Sequence, residues 1–115
     1  ELLTRLESMP KHTKLCHGNF VPANIILNDK GTYIVDWVAA RQGNASADVA
    51  RTYLLLSLKD PKAAEMYLNA FCQKTNTSKK YVQEWLPIVA AAHLTEGNAA
   101  ETEFLMKWID VVAYE

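Results

Sequence analysis

Glycine is scarce in this sequence: four residues in 115, at Gly18, Gly31, Gly43 and Gly97. A set so scattered cannot form a glycine-rich loop that covers nucleotide phosphates, and no strand-like run carries a lysine among apolar residues. Cysteine is scarcer still. Cys16 and Cys72 have no partner spacing, which excludes a disulfide framework or a cysteine metal site. They read as reduced core residues, and the expected location is cytoplasmic. Charge of either sign is not in excess, since 12 basic and 13 acidic residues give a formal net charge of −1. That balance excludes a general attraction to nucleic acid or to an anionic membrane. Lys79-Lys80 is too short for a basic patch and reads as a solvated helix start. Long apolar runs are also missing: stretches such as Leu86 to Ala92 fall well short of a membrane span. The opening Glu1-Leu2-Leu3-Thr4-Arg5 is no signal peptide and has no initiator methionine. It starts within a helix, as expected for a piece of a longer protein.

What is present suits a globular domain. Half the residues are hydrophobic and 22% are charged, and the length suits one hydrophobic core, so residues 1–115 are expected to form a single domain. Residues 1–13 read as an entering helix. Residues 14–45 are β-like: a short strand at Lys14-Leu15-Cys16, then runs at Asn24–Leu27 and Thr32–Val35 joined by Asn28-Asp29-Lys30-Gly31, the pattern of a β-hairpin. Residues 46–115 are helical. Ser46 is the expected cap of a helix over 47–58, apolar nearly all round and therefore central. Asp60-Pro61 starts a second helix, to about Lys74, with Ala64, Tyr67, Leu68, Phe71 and Cys72 on one stripe. Asn76-Thr77-Ser78 breaks it and caps a third, kinked at Pro87 and ended by Gly97-Asn98. A last helix is expected over 99–114. The fold class is α+β, a small hairpin on about four helices.

The chemistry is carried by Leu15-Cys16-His17-Gly18-Asn19-Phe20-Val21-Pro22-Ala23-Asn24-Ile25-Ile26-Leu27. After it come Ile34-Val35-Asp36-Trp37, Gly43 and Asp48-Val49-Ala50-Arg51. Phosphoryl transfer needs reactants held in line and metal ions on the phosphate oxygens. Magnesium takes oxygen ligands from one or two protein groups plus phosphates and water. Asn24 offers an amide oxygen and Asp36 a carboxylate. The turn at 28–31 folds the chain back, so one ion can reach both residues despite the twelve positions between them. Singly, an Asn after Pro-Ala is usually a turn residue, an Asp after a strand a cap, and a lone His a half-buried structural residue. Together, in this order, they are far more specific.

This order resembles the catalytic region of the aminoglycoside phosphotransferase and choline kinase family, which shares its lower lobe with protein kinases. The resemblance is strong over residues 14–58 and weaker through Trp85-Leu86-Pro87 and Ala90-Ala91-Ala92-His93-Leu94. It implies a kinase-like C-lobe fragment, without the amino-terminal nucleotide lobe, of an enzyme that moves phosphate from ATP or another nucleoside triphosphate, with Mg2+, to a hydroxyl of a small molecule. The implied metal ligands are Asn24 and Asp36. His17 and Asp48 are implied to support the loop, His17 by bonding to backbone and Asp48 by bracing it from below while favouring its own helix start.

The departure is at Asn19, where the family has its catalytic aspartate. An asparagine oxygen accepts a hydrogen bond but takes up no proton at neutral pH, and general-base assistance is worth roughly 10²- to 10⁴-fold. Because phosphoryl transfer can be led by positioning, the base is not indispensable. Three possibilities stand: a slow kinase, a binding protein that keeps the fold, or a base supplied elsewhere. A plain helical interaction domain is the fourth. The expected substrate is a small cation such as an amino sugar or amino alcohol, with Glu96, Glu101, Glu103 and Asp110 as acidic candidates to line its site. A solvated acidic helix face is the bland alternative for these four. The residues do not specify the substrate, the choice between ATP and GTP, or the oligomeric state.

Overall fold

Pro10 sets the first boundary. In the computed structural model, which describes residues 2–95 and 101–110, helix α1 spans only Leu2–Ser8. The expected continuation to residue 13 stops short because a proline two residues on cannot extend the helical ladder. Strand β1 (Lys14–Cys16) follows, then a single 3-10 turn at Pro22–Asn24, and the hairpin of β2 (Ile25–Asn28) and β3 (Gly31–Ile34). Its register pairs Ile25 with Ile34 and Asn28 with Gly31. The turn is held by Asn28, whose Oδ1 accepts from the amides of Lys30 and Gly31 at 2.8 and 3.1 Å. A fourth strand, β4 (Arg41–Gly43), pairs antiparallel with β1 and was not anticipated. It has no alternating apolar pattern and exists because β1 offers it a ladder. The chain is α+β, with two small two-stranded sheets and five helices among the described residues.

Helix α2 (Ala45–Lys59) begins earlier than expected. Its cap is Asn44, not Ser46: Asn44 Oδ1 accepts from Ser46 N at 2.9 Å. Asn44 prevails because its Nδ2 also reaches Pro10 O (3.3 Å) and Tyr81 Oη (2.7 Å), tying the cap into two other elements. Helix α3 (Pro61–Thr75) starts as read, with Asp60 Oδ1 accepting from Ala63 N at 3.1 Å, and Asn76 ends it in the left-handed region at φ 53°. Ser78 Oγ accepts from Tyr81 N at 3.1 Å and opens α4 (Lys79–Leu94), which is assigned without a break through Pro87. Helix α5 spans Thr102–Asp110. The stop expected at Gly97-Asn98, and both ends expected for the last helix, lie outside the described residues.

The core is helical. α2 packs on α3 and α4, and α4 on α5. Val49, Ala50, Tyr53 and Leu54 of α2 are buried in one cluster with Ala64 and Leu68 of α3, Val82, Trp85, Leu86 and Ala90 of α4, and Leu105 of α5. The expectation that α2 is apolar all round and central holds for its first ten residues, whereas Leu56 and Leu58 are only partly covered. Among the described residues no helix is long and apolar enough to cross a membrane.

Candidate functional site

The segment from His17 to Asn24 leaves β1 and wraps over the start of α2. Asp48, in the first turn of α2, accepts from both His17 N (Oδ2, 3.0 Å) and Gly18 N (Oδ1, 3.0 Å). One turn on, Thr52 Oγ1 donates to Phe20 O at 2.7 Å. One helix face therefore grips three successive parts of the loop. Gly18 is required here. Its φ is +87°, and a Cβ at this position would lie 2.4 Å from Ala39 O.

His17 is 5% exposed and joins the loop to the hairpin. Its Nε2 lies 2.8 Å from Val35 O, and Nδ1 accepts from Asn19 N at 3.1 Å. A carbonyl can only accept, so Nε2 carries the proton, and the tautomer follows from the partners. The ring also lies against Trp37 (centroids 4.6 Å apart) and Phe20 (6.0 Å). Phe20 in turn meets Tyr67, whose hydroxyl burial pushes up to about 12.

Two further bonds knit the loop to the strand end. Asn24 Nδ2 donates to Asn19 O at 2.9 Å, and Val35 N donates to Asn24 O at 2.9 Å. Asn24 thus stands opposite Val35, with Asp36 the next residue along, at the same end of the hairpin. With its Nδ2 so engaged, the Oδ1 of Asn24 remains without a partner among the described residues. Asp36 is exposed, its carboxylate likewise has no hydrogen-bond or ion-pair partner among the described residues, and its backbone sits at φ 59°. A left-handed aspartate costs on the order of 1 kcal/mol or more and is a feature of functional turns. An amide oxygen and a carboxylate oxygen are of the ligand type that a hard cation takes beside phosphate and water. No cluster of three or more His, Cys, Asp or Glu suited to a metal occurs among the described residues, so an all-protein cage is not built here.

Asn19 is half-buried and borders a cleft of about 390 Å³ together with Ala39, Arg41, Asp48, Arg51 and Val89. Asn24 and Asp36 are not in its lining. Cys16 also faces it. Burial, and secondarily the charge of Asp48, raise that thiol's pKa, while Arg41 pulls the other way. Of the acidic candidates for the substrate site, Glu101 pairs with His93 Nε2 at 3.1 Å and Glu103 is exposed, and neither lines the cleft. Glu96 and the side chain of Asp110 lie outside the described residues.

Thr52 and Asn44 escaped the sequence reading. A threonine inside an apolar helix carries no local mark of a bond to a residue 32 positions earlier. Asn44, by contrast, had a signal: it is as good a cap residue as Ser46, two positions away.

The match to a known family includes this segment. A model of the phosphotransferase enzyme family covers residues 1–85, from α1 into α4. The chain belongs to this family, as an aminoglycoside phosphotransferase or choline kinase-like member. No curated protein and no solved structure matches it.

Proposed function

We propose that this chain is the loop-and-metal portion, with a kinase-like lower-lobe arrangement, of a cytoplasmic phosphotransferase. It transfers the terminal phosphate of ATP, or another nucleoside triphosphate, to a hydroxyl of a small molecule. Asn24 Oδ1 and the Asp36 carboxylate hold Mg2+, which neutralises the phosphate oxygens, and Asn19 accepts a hydrogen bond from the acceptor hydroxyl without removing its proton. His17, Asp48 and Thr52 position the loop. One observation carries the reading: the bonds from Asn24 to Asn19 and Val35 gather the loop and Asp36 at one end of the hairpin, with both oxygen donors unengaged. The sequence has no glycine-rich run of the kind that covers nucleotide phosphates, so the chain by itself is expected to show no measurable turnover. Steady transfer from ATP by the purified chain, lost on Asp36→Ala, would contradict that last statement.

The metal assignment is tested with Mn2+ as a paramagnetic stand-in. Substoichiometric Mn2+ should broaden the Asn24 side-chain amide and the amides of residues 35–37 selectively. Asp36→Ala should remove that selectivity while leaving the folded spectrum intact. Equal broadening in parent and variant would sink the assignment.

Asn19 favours a second reading, a kinase-like binding protein without turnover, because an amide cannot act as the general base. The comparison is Asn19→Asp in a form of the protein that includes a nucleotide-binding lobe. A gain of roughly 10²-fold or more supports the enzyme reading. No gain, with metal binding intact, supports the binding protein.

A further inference from the structure

The cleft of about 390 Å³ beside Asn19 has more positive than negative charge on its described lining. Arg41 and Arg51 stand on its wall, and Asp48 is the one carboxylate among the described lining residues. That carboxylate is committed to the loop, since its two oxygens accept from His17 N and Gly18 N at 3.0 Å. Glu101 pairs with His93, Glu103 is exposed, and neither lines the cleft. The cationic acceptor expected from the sequence therefore meets no acidic wall among the described residues.

Strand pairing fixes the direction of Arg41. In the β1–β4 ladder it stands directly opposite Cys16, so the two side chains leave the sheet on the same face. Cys16 lines the cleft, and the charge of Arg41 pulls its thiol pKa down against a larger upward effect of burial. The guanidinium is thus turned to the cleft side. It is exposed and has no hydrogen-bond or ion-pair partner among the described residues. Arg51, three residues beyond Asp48 on α2, has a contact of its own and a buried Nε, and adds a fixed positive charge to the same wall.

We propose that this cleft takes an anionic acceptor: a small hydroxyl compound that also bears a carboxylate or a phosphate ester. Arg41 grips the oxyanion, to which a guanidinium presents two parallel N–H donors. Arg51 contributes positive potential, and Asn19, on the same cleft, receives the hydroxyl. An amino sugar or amino alcohol would instead bring its ammonium towards two guanidinium groups. The volume suits a ligand of this size. As an acceptor site the assignment rests on the phosphotransfer reading. In that reaction the hydroxyl oxygen forms the new P–O bond, the bond to the nucleoside diphosphate breaks, and the hydroxyl proton leaves to water. As an oxyanion site it stands without that reading.

The test is an amide NMR titration of the full chain, without nucleotide or metal, at constant ionic strength. The probes are glycerate, glycerol 3-phosphate, choline and glucosamine. Saturable shifts are expected at Gly18, Asn19, Ala39 and Arg41 with the two anions and not with the two cations. Tighter binding of glycerate would identify a hydroxy acid as the ligand class, and tighter binding of glycerol 3-phosphate a phosphate monoester. Arg41→Gln should weaken binding about tenfold, the order expected for loss of a bond to a charged group. Arg41→Lys keeps the charge without the paired donors and should fall between the two. Because Arg41 is exposed, both variants should keep the parent Tm. The proposal is overturned if the cations bind and the anions do not, if neither class gives a saturable response, or if Arg41→Gln binds like the parent. Anion binding without the Mn2+ selectivity at Asn24 and Asp36 would strike the phosphotransfer reading alone, and the reverse result would strike the oxyanion site alone.

Discussion

A methyl group at residue 18 would meet the carbonyl oxygen of Ala39 at 2.4 Å while the backbone sits at φ +87°. Both terms oppose alanine, so Gly18→Ala should lower stability by at least ~2 kcal/mol. Thermal denaturation checks this, and an unchanged Tm would mean that the loop does not close against Ala39. Asp48 permits a finer comparison. Removing its carboxylate strands two amide donors, those of His17 and Gly18, so Asp48→Ala should cost about 2–3 kcal/mol. Asp48→Asn keeps one acceptor oxygen and should cost less. Equal losses in the two variants would show that the aspartate acts only through its charge at the helix start. At this scale the sequence was informative wherever residue types combine into a motif. His17, Asn24, Asp36 and Asp48 were all named from the motif they form together and the family resemblance it carries. What it did not disclose is how they are bonded. That Asn24 donates from Nδ2 and keeps Oδ1 free follows from the position of Asn19 O, which only the folded loop defines.

Glu65 joins three helices. Its Oε1 accepts from Tyr53 Oη of α2 at 2.6 Å, and its Oε2 pairs with Lys79 Nζ of α4 at 2.8 Å. The hydrogen bond from Lys79, then that from Tyr53, hold its carboxyl below the ordinary value against a smaller opposing effect of burial. The Tyr53 hydroxyl is raised to about 12, chiefly by burial and then by Glu65. A carboxyl whose folded pKa is depressed contributes stability that is complete above its unfolded pKa and disappears as pH falls through the folded one. With the Glu65 side chain 46% exposed, solvent screening limits that contribution to a few tenths of a kcal/mol. Glu65→Gln should therefore be slightly less stable than the parent in urea at pH 7, with the difference shrinking as pH falls through the folded pKa. A difference that survives in acid would assign the effect to packing. Elements were legible where local signals agree. Asp60-Pro61 gave the start of α3, and the pair of apolar runs gave the hairpin. β4 and the true cap of α2 were not legible, because both are settled by distant partners: β1 pairs with Arg41–Gly43, and Pro10 and Tyr81 bond the Asn44 amide.

The molecule divides its stability unevenly. Leu54, Leu68, Leu86 and Leu105 are fully buried in the helical core, whereas every residue of β2 and β3 is exposed or only half-covered, with Leu27 at 74%. A Leu54→Ala cavity should cost about 2–5 kcal/mol, a large share of the whole for a domain of this size, while Leu27→Ala should change little. Local opening follows the same division, since segments with little apolar burial open without global unfolding. Amide exchange should therefore be slow in the middle of α2 and α4 and much faster at Ile26, Leu27 and Thr32. Val35 is expected to lie between, because its amide is bonded to Asn24 O and its carbonyl to His17 Nε2, on a loop that α2 holds. His17→Ala removes that clasp. Exchange across the hairpin should then accelerate about tenfold, the effect of losing one hydrogen bond, while α2 amides remain at the parent rate. If hairpin and α2 amides instead accelerate together, the hairpin opens only with the whole fold, and His17 supports the core. Selective acceleration would locate Asn24 and Asp36 on a segment that depends on one imidazole for its attachment to the loop, where an ion bridging both residues would oppose the opening.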